Sequence, residues 1–267
     1  MVTAAALLVF SAIATSRASA YSEIVGACET DCKKCHQITM EDATDIVRRI
    51  NPEIEVMDIK LSQISGLWEL VIKARGKRGI AYIDFSKQHI ITGSIIQVKS
   101  SLNLTNNKLY ELNKVDVSQI PLDDALVMGD PKAKYRAIVF HDPDCPLCRK
   151  LHQEMQKILE ERKDIVFFIK LLPLKTHPSA YRKAKAIVCE RSLRMLERAL
   201  AARSVPEPTC ETTEVDDTID LAERMGITGT PTVILPDGGV EAGIMNAEQL
   251  ADLIVAAGEL VDSTPER

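Results

Sequence analysis

The run HDPDCPLCRKLH, residues 141–152, sets two thiols three positions apart. That spacing suits three uses: a redox couple, half of a zinc site, or a small disulfide staple. Its flanks narrow the choice. Ala137-Ile138-Val139-Phe140 ahead of it reads as a buried strand, and Leu151, Met155, Ile158 and Leu159 behind it recur at helical spacing. A strand, a short turn and a helix beginning near Cys145 put that sulfur at a helix N-terminus, where unpaired N–H groups and the helix dipole favour an anion. Cys148 then lies one turn further in, less exposed and suited to resolving a mixed disulfide. Asp142 and Asp144 act against a nearby negative charge. No second pair of ligands stands at metal-site spacing, so no metal is expected.

Downstream, DIVFFIKLLPL (164–174) reads as a second buried strand and AYRKAKAIVCERSLRMLERALAAR (180–203) as a long helical region. TIDLAERMGI (218–227) is a short helix, TPTVIL (230–235) a strand, Asp237-Gly238-Gly239 a hairpin turn, and NAEQLADLIVAA (246–257) a final helix. The order β, α, β, α, α, β, β, α implies a layered α/β unit.

Upstream the pattern differs. EDATDIVRRI (41–50) puts Ala43, Ile46, Val47 and Ile50 on one helical face, with Thr39 and Asp42 as a capping start. Beyond Asn51-Pro52 come runs rich in β-branched and aromatic residues at 53–64, 67–74, 78–86 and 89–98, which predict four or five antiparallel strands. One helix beside a meander makes a small α+β unit ending near Val98. Residues 101–134 read as a connector, with a helical patch at NNKLYELNK (106–114).

The 267 residues are 46% hydrophobic and 27% charged, with a formal net charge of -5, a soluble globular composition with no basic surplus for nucleic acid. Aromatics at 4% are too sparse for base-stacking platforms. The first twenty residues, apolar through Phe10 and ending Ala18-Ser19-Ala20, read as a secretory signal cleaved after Ala20, although no Lys or Arg precedes the apolar run. That run falls short of the roughly 20 residues that span a bilayer. Export permits disulfides among the seven cysteines, and the odd count leaves at least one thiol over. The expected divisions are a signal peptide (1–20), a cysteine-rich segment (21–37), the α+β domain (38–100), a linker (101–134) and the α/β domain (135–262).

Cys145-Pro146-Leu147-Cys148 after an apolar strand, paired with Gly226-Ile227-Thr228-Gly229-Thr230-Pro231-Thr232-Val233, resembles the redox motif and cis-proline loop of thioredoxin-fold proteins. The segment CPLCRKLHQEM, the threonine before Pro231 and the 21-residue separation of Cys189 and Cys210 resemble the periplasmic disulfide isomerases of the DsbC and DsbG type more than thioredoxin. The resemblance implies a thioredoxin-like α/β domain with a helical insertion, preceded by a cystatin-like α+β dimerisation domain. By the same likeness Cys145 is the attacking thiolate, Cys148 the resolving thiol, and Thr230-Pro231 the loop that faces the sulfur and pairs with substrate backbone. Cys189 and Cys210 become a structural bridge across the insertion, the alternative being two unpaired thiols. The implied protein is a periplasmic homodimer that acts on unfolded or misoxidised proteins, draws electrons from a membrane thiol reductant and needs no cofactor for its dithiol chemistry.

CETDCKKCHQIT (28–39) has no counterpart in that pattern. Cys32, Cys35 and His36 have the C-x-x-C-H form of covalent haem c attachment, with Met40, Met57 and His89 available as a further iron ligand. The competing readings are a second redox pair feeding Cys145, or a plain disulfide with Cys28 left over. A haem-bearing electron carrier or sensor and a non-catalytic chaperone are therefore the rival functions.

Overall fold

The computed structural model describes residues 36–263 apart from Arg75. Helix α1 (Met40–Arg48) starts with the expected capping box, in which Asp42 N–H donates to Thr39 Oγ1 at 3.0 Å and Thr39 N–H to Asp42 Oδ2 at 3.2 Å. Ala43 and Val47 face the antiparallel sheet β1 (Glu55–Leu61), β2 (Leu67–Ala74), β3 (Lys77–Asp84) and β4 (Ile90–Ile91), whose spatial order follows the sequence. Alternation along β2 and β3 gives that sheet two apolar faces. Leu70 and Ile83 pack on α1; Val71, Ile80 and Tyr82 point the other way. The second face is covered by α2 (Leu104–Asn113), through Leu109, Leu112 and a 2.7 Å hydrogen bond between the Tyr82 and Thr105 hydroxyls. A two-residue pairing of β5 (Ile96–Gln97) with β6 (Leu102–Asn103) leads into α2.

The second unit is a five-stranded sheet in the order β11-β10-β8-β9-β7. Its strands are β7 (Leu126–Gly129), β8 (Tyr135–His141), β9 (Ile165–Leu171), β10 (Thr232–Ile234) and β11 (Val240–Ala242). Only β8 and β9 run parallel, joined by α3 (Pro146–Glu161) as the crossover. Helix α3, α4 (Ala180–Cys189), α5 (Leu193–Leu200) and the C-terminal α7 (Ala247–Ser263) close the larger core on one face; α6 (Glu214–Arg224) closes the other through Leu221 and Ala222.

Two expectations need correction. Residues 126–129 belong to the sheet as its edge strand, paired antiparallel with β9 from Leu126↔Ile169 to Gly129↔Val166, so the α/β domain begins ahead of residue 135. Four residues, Leu126 to Gly129, followed at once by Asp130-Pro131 are too short to show a strand period. The helical region 180–203 is two helices: the chain turns at Arg191 (φ 47°), and Ser192 caps α5 by accepting Met195 N–H at 3.2 Å.

Cys189, the last residue of α4, is disulfide-bonded to Cys210. The bond closes a loop across 21 positions. Replacing both cysteines by serine should lower unfolding free energy by about 3 kcal/mol on the loop-entropy account. Denaturant midpoints of the two forms, compared at equal slope, measure it.

The two units are joined firmly. Tyr110 on α2 donates its hydroxyl to both Asp237 carboxylate oxygens at 2.9 and 3.0 Å, Lys114 Nζ reaches Asp237 Oδ2 at 2.9 Å, and Val115 N–H donates to Gly238 O at 2.8 Å. Burial pushes the Asp237 carboxyl up, but the hydrogen bonds from Lys114, Gly239 N–H and Tyr110 outweigh it and hold it low. The joint also explains both glycines of the expected hairpin turn: a Cβ on Gly238, at φ 87°, would strike the Val115 carbonyl, and one on Gly239 would overlap the Tyr110 hydroxyl.

Candidate active site

Strand β8 is buried along nearly its whole length and delivers the chain to a tight turn at Asp142, whose carbonyl accepts Cys145 N–H at 3.2 Å. Cys145 is the N-cap of α3, with Pro146 at the first helical position, where its missing N–H costs nothing. Both active-motif sulfurs are free thiols. Cys145 Sγ accepts the N–H of Cys148 at 3.4 Å and lies 3.5 Å from the Thr230 carbonyl, to which the thiol donates. Cys148 Sγ accepts Asp142 N–H at 3.4 Å. The sulfurs differ in access: Cys145 keeps 6% exposure and Cys148 none. Burial pushes the Cys148 thiol far up, the more so with Cys145 beside it, although the Asp142 N–H works the other way.

Thr230 and Pro231 are joined by a cis peptide and stand beside Cys145 through that 3.5 Å contact. Pro231 O accepts Gly243 N–H at 2.9 Å and Thr232 Oγ1 donates to Gly229 O at 2.7 Å, which anchors both sides of the loop. The structure thus gathers Cys145, Cys148, Thr230 and Pro231, although Thr230 follows Cys145 by 85 positions in the chain. Cys189 and Cys210 bond to each other on the helical insertion instead. Cys28, Cys32 and Cys35 lie outside the described residues. His36 is described, and its ring stacks on Phe85 with centroids 4.6 Å apart.

Three supporting residues escaped the sequence reading, His177, Ser179 and Lys183, which hold the carboxylates of Asp142 and Asp144. Asp142 is fully buried, and its carboxylate accepts Leu174 N–H at 2.7 Å, His177 Nδ1 at 2.8 Å and Asp144 N–H at 2.7 Å. Asp144 pairs with Lys183 and accepts the Ser179 hydroxyl at 2.5 Å. Burial raises the Asp144 carboxyl, yet those two bonds outweigh it and keep it below its usual range. The two acids expected to oppose a thiolate therefore spend their charge on His177, Lys183 and backbone N–H groups. The available signal was the polar run His177-Pro178-Ser179 directly after a buried strand, a loop composition that returns toward the motif.

A small cleft of about 230 Å³ opens beside Cys145, bounded by Pro143, Pro146, Arg149, Lys183 and Leu200. Among the described residues no cluster of three or more His, Cys, Asp and Glu is arranged to hold a metal ion, and no helix is long and apolar enough to cross a membrane. What the arrangement offers is a dithiol with one sulfur reachable from outside, its partner behind it, and a backbone carbonyl facing the outer one.

Comparison with known proteins agrees with that geometry. Residues 122–258 match the thioredoxin-like domain family, and residues 38–106 match the disulfide bond isomerase N-terminal domain. A probable thiol:disulfide interchange protein DsbC of Bordetella avium is 24% identical over 217 residues, covering 79% of this chain and 75% of that one. The thiol:disulfide interchange protein DsbC of Escherichia coli is 24% identical over 208 residues, covering 75% of this chain and 82% of that one. The crystal structure of a disulfide interchange protein from Neisseria gonorrhoeae aligns with a TM-score of 0.46 at 29% identity, over 52% of this chain and 99% of that one. The thioredoxin-like match spans half of this chain, so the chain belongs to the thioredoxin-like family, with a segment ahead of it that matches the disulfide bond isomerase N-terminal domain.

Proposed function

We propose that the chain is an exported thiol:disulfide interchange enzyme that reduces or isomerises wrong disulfides in unfolded proteins. The observation that carries this reading is the pair of free thiols at the start of α3, with Cys145 reachable and Cys148 sealed behind it. Cys145 attacks a substrate disulfide as the thiolate, and a mixed disulfide forms as the first substrate sulfur leaves. Cys148 then attacks Cys145 Sγ and frees the reduced substrate, or a second substrate thiol attacks the substrate sulfur of the mixed disulfide, forming a new substrate disulfide as Cys145 leaves as the thiolate. Thr230 and Pro231 pair with substrate backbone beside the reacting sulfur, and Cys189–Cys210 braces the insertion without taking part. No cofactor enters these steps.

The export reading rests on the apolar first twenty residues with their Ala18-Ser19-Ala20 end, and it puts the enzyme in the periplasm with a membrane thiol reductant as its electron source. Homodimerisation through residues 38–100 is supported by the isomerase-type N-terminal domain and by exposed Ile91, Ile96 and Val98 on that unit. Two copies would enclose an apolar cleft between their thiols. The haem reading at Cys32, Cys35 and His36 gains no support from relatives that are thiol:disulfide interchange proteins.

The test uses the full mature chain and a scrambled multi-disulfide protein whose native activity reports repair, with sedimentation at micromolar concentration alongside. A dimer that restores native pairing is expected. A monomer with the same isomerase rate removes dimerisation from the reading, and a chain that never forms a mixed disulfide removes the enzyme.

A further inference from the structure

Cys148 is completely buried, and so is the proton it must lose before it can attack. The surroundings of that thiol hold an anomaly. His141 (0% exposed) and His152 (4%) sit in the core with all four ring nitrogens buried and hydrogen-bonded to no described residue. Buried imidazoles without partners are rare, because each unpaired nitrogen loses its hydration with nothing in return. Their placement is specific. Strand alternation puts His141 on the same face of β8 as Ala137 and Val139, the face that carries Cys145 and Cys148. The backbone N–H of the next residue, Asp142, already meets Cys148 Sγ at 3.4 Å. His152 lies four residues after Cys148 on the buried side of α3, one turn along the same face. The two rings meet edge to face, with centroids 5.7 Å apart. Beyond them His152 Nε2 comes within 3.5 Å of Glu197 Oε1 on α5, without hydrogen-bond geometry, and the Glu197 side chain is 40% exposed.

We propose that Cys148, His141, His152 and Glu197 form a proton path from the buried thiol to solvent, used when Cys148 resolves a mixed disulfide. This rests on the dithiol reading above. As Cys148 Sγ bonds to Cys145 Sγ, the S–H bond of Cys148 breaks and the substrate sulfur leaves with the electron pair of the old S–S bond. The Cys148 proton enters one nitrogen of His141 while the proton on its other nitrogen passes to His152, and His152 hands its own to the Glu197 carboxylate, which exchanges with water. The dithiol is thereby oxidised by two electrons and the substrate disulfide reduced by two, and re-reduction returns a proton along the same route and resets the tautomers.

Neutral imidazoles suit such a relay, because each carries one donor and one acceptor nitrogen. Burial, reinforced by His152, pulls the His141 imidazolium down to about 3, and burial also lowers His152 against the pull of Glu197. Both rings therefore rest uncharged at neutral pH. The core on that side of the sheet is apolar, with Phe167, Ile169 and Leu171 from β9, Val233 from β10, and Leu250 and Ile254 from α7. The Asp142 carboxylate, next in sequence to His141, is turned to Leu174 and His177. Glu197, whose Oε1 also accepts Gln156 Nε2–H at 3.2 Å, is the charged group at the end of the row.

The test separates attack from resolution. Mixing the reduced chain with 5,5′-dithiobis(2-nitrobenzoate) gives one burst of the coloured thiolate when Cys145 attacks and a second when Cys148 releases the bound half. The second phase is followed by stopped flow from pH 5 to 9, in light and heavy water, with a Cys148→Ala chain giving the first phase alone. Glu197→Gln and His152→Gln should each slow the second phase at least about tenfold relative to the first and flatten its pH dependence, as loss of a positioned acid–base group does. Equal ratios in wild type and Glu197→Gln, which sits at the surface and keeps its shape, overturn the path even if His152→Gln fails to fold. A chain with no first burst refutes the dithiol reading itself, a different outcome from a normal first burst with an unaltered second.

Discussion

Serine at position 145 brings disulfide turnover down to the uncatalysed background while leaving the fold intact. A hydroxyl in the same place keeps the N-cap bond to Cys148 N–H, so α3 still starts correctly. What disappears is the only described free sulfur with access to solvent, since Cys148 has none. Cys148→Ser gives the opposite signature: attack proceeds, and a mixed disulfide on Cys145 accumulates because its resolving partner is gone. Mass spectrometry after mixing with a disulfide peptide distinguishes the two, with an adduct expected for Cys148→Ser and none for Cys145→Ser. Wild-type turnover in Cys145→Ser would remove the assignment.

A large loss of stability is expected far from the thiols. Lys170 is 2% exposed on β9, and its ammonium is held by the Asp124 carboxylate and by Pro121 O at 3.1 Å. Asp124→Ala strands that charge among Phe140, Val166 and Phe168, and should cost about 3–5 kcal/mol, the range for breaking a buried pair from one side. Lys170→Met combined with Asp124→Leu should recover most of it, because no charge is then left unpaired. Urea midpoints for the single and double variants measure both effects. A single variant within 1 kcal/mol of the wild type, taken as roughly the noise of surface substitutions, would show that water reaches Lys170.

How much of this could be read beforehand depended on chemistry that repeats at a fixed spacing. The apolar run 137–140, the C-x-x-C and the threonine–proline loop each carry a local pattern, and together they led to the thioredoxin-like architecture and to the residues gathered at Cys145. The capping box at Thr39 and Asp42 was legible for the same reason. Lys170 was hidden because DIVFFIKLLPL reads as one hydrophobic run, and its partner Asp124 lay in what looked like a connector. His141 and His152 stand within the run 141–152, but their burial depends on β9 and β10 flanking β8 and on α5 packing against α3. The break at Arg191 turned on a single left-handed residue inside a strongly helical composition.

The joint at Asp237 decides where this chain can be cut and recombined. Helix α2 is wedged against the first unit by Leu109, Leu112 and Thr105 and against the β10–β11 hairpin by Tyr110, Lys114 and Val115. It serves as a spacer of set length whose two ends are both glued. The hairpin grows from β10, and β10 begins one residue after Pro231, so the grip on the spacer and the loop beside the reactive sulfur are parts of one short ribbon. A chimera that exchanges the front unit should carry α2 with the rear one and rebuild only the face that meets Val71, Ile80 and Tyr82. A seam placed after residue 114 would instead leave the Gly238-Gly239 corner open and the thiols aimed at random relative to the graft.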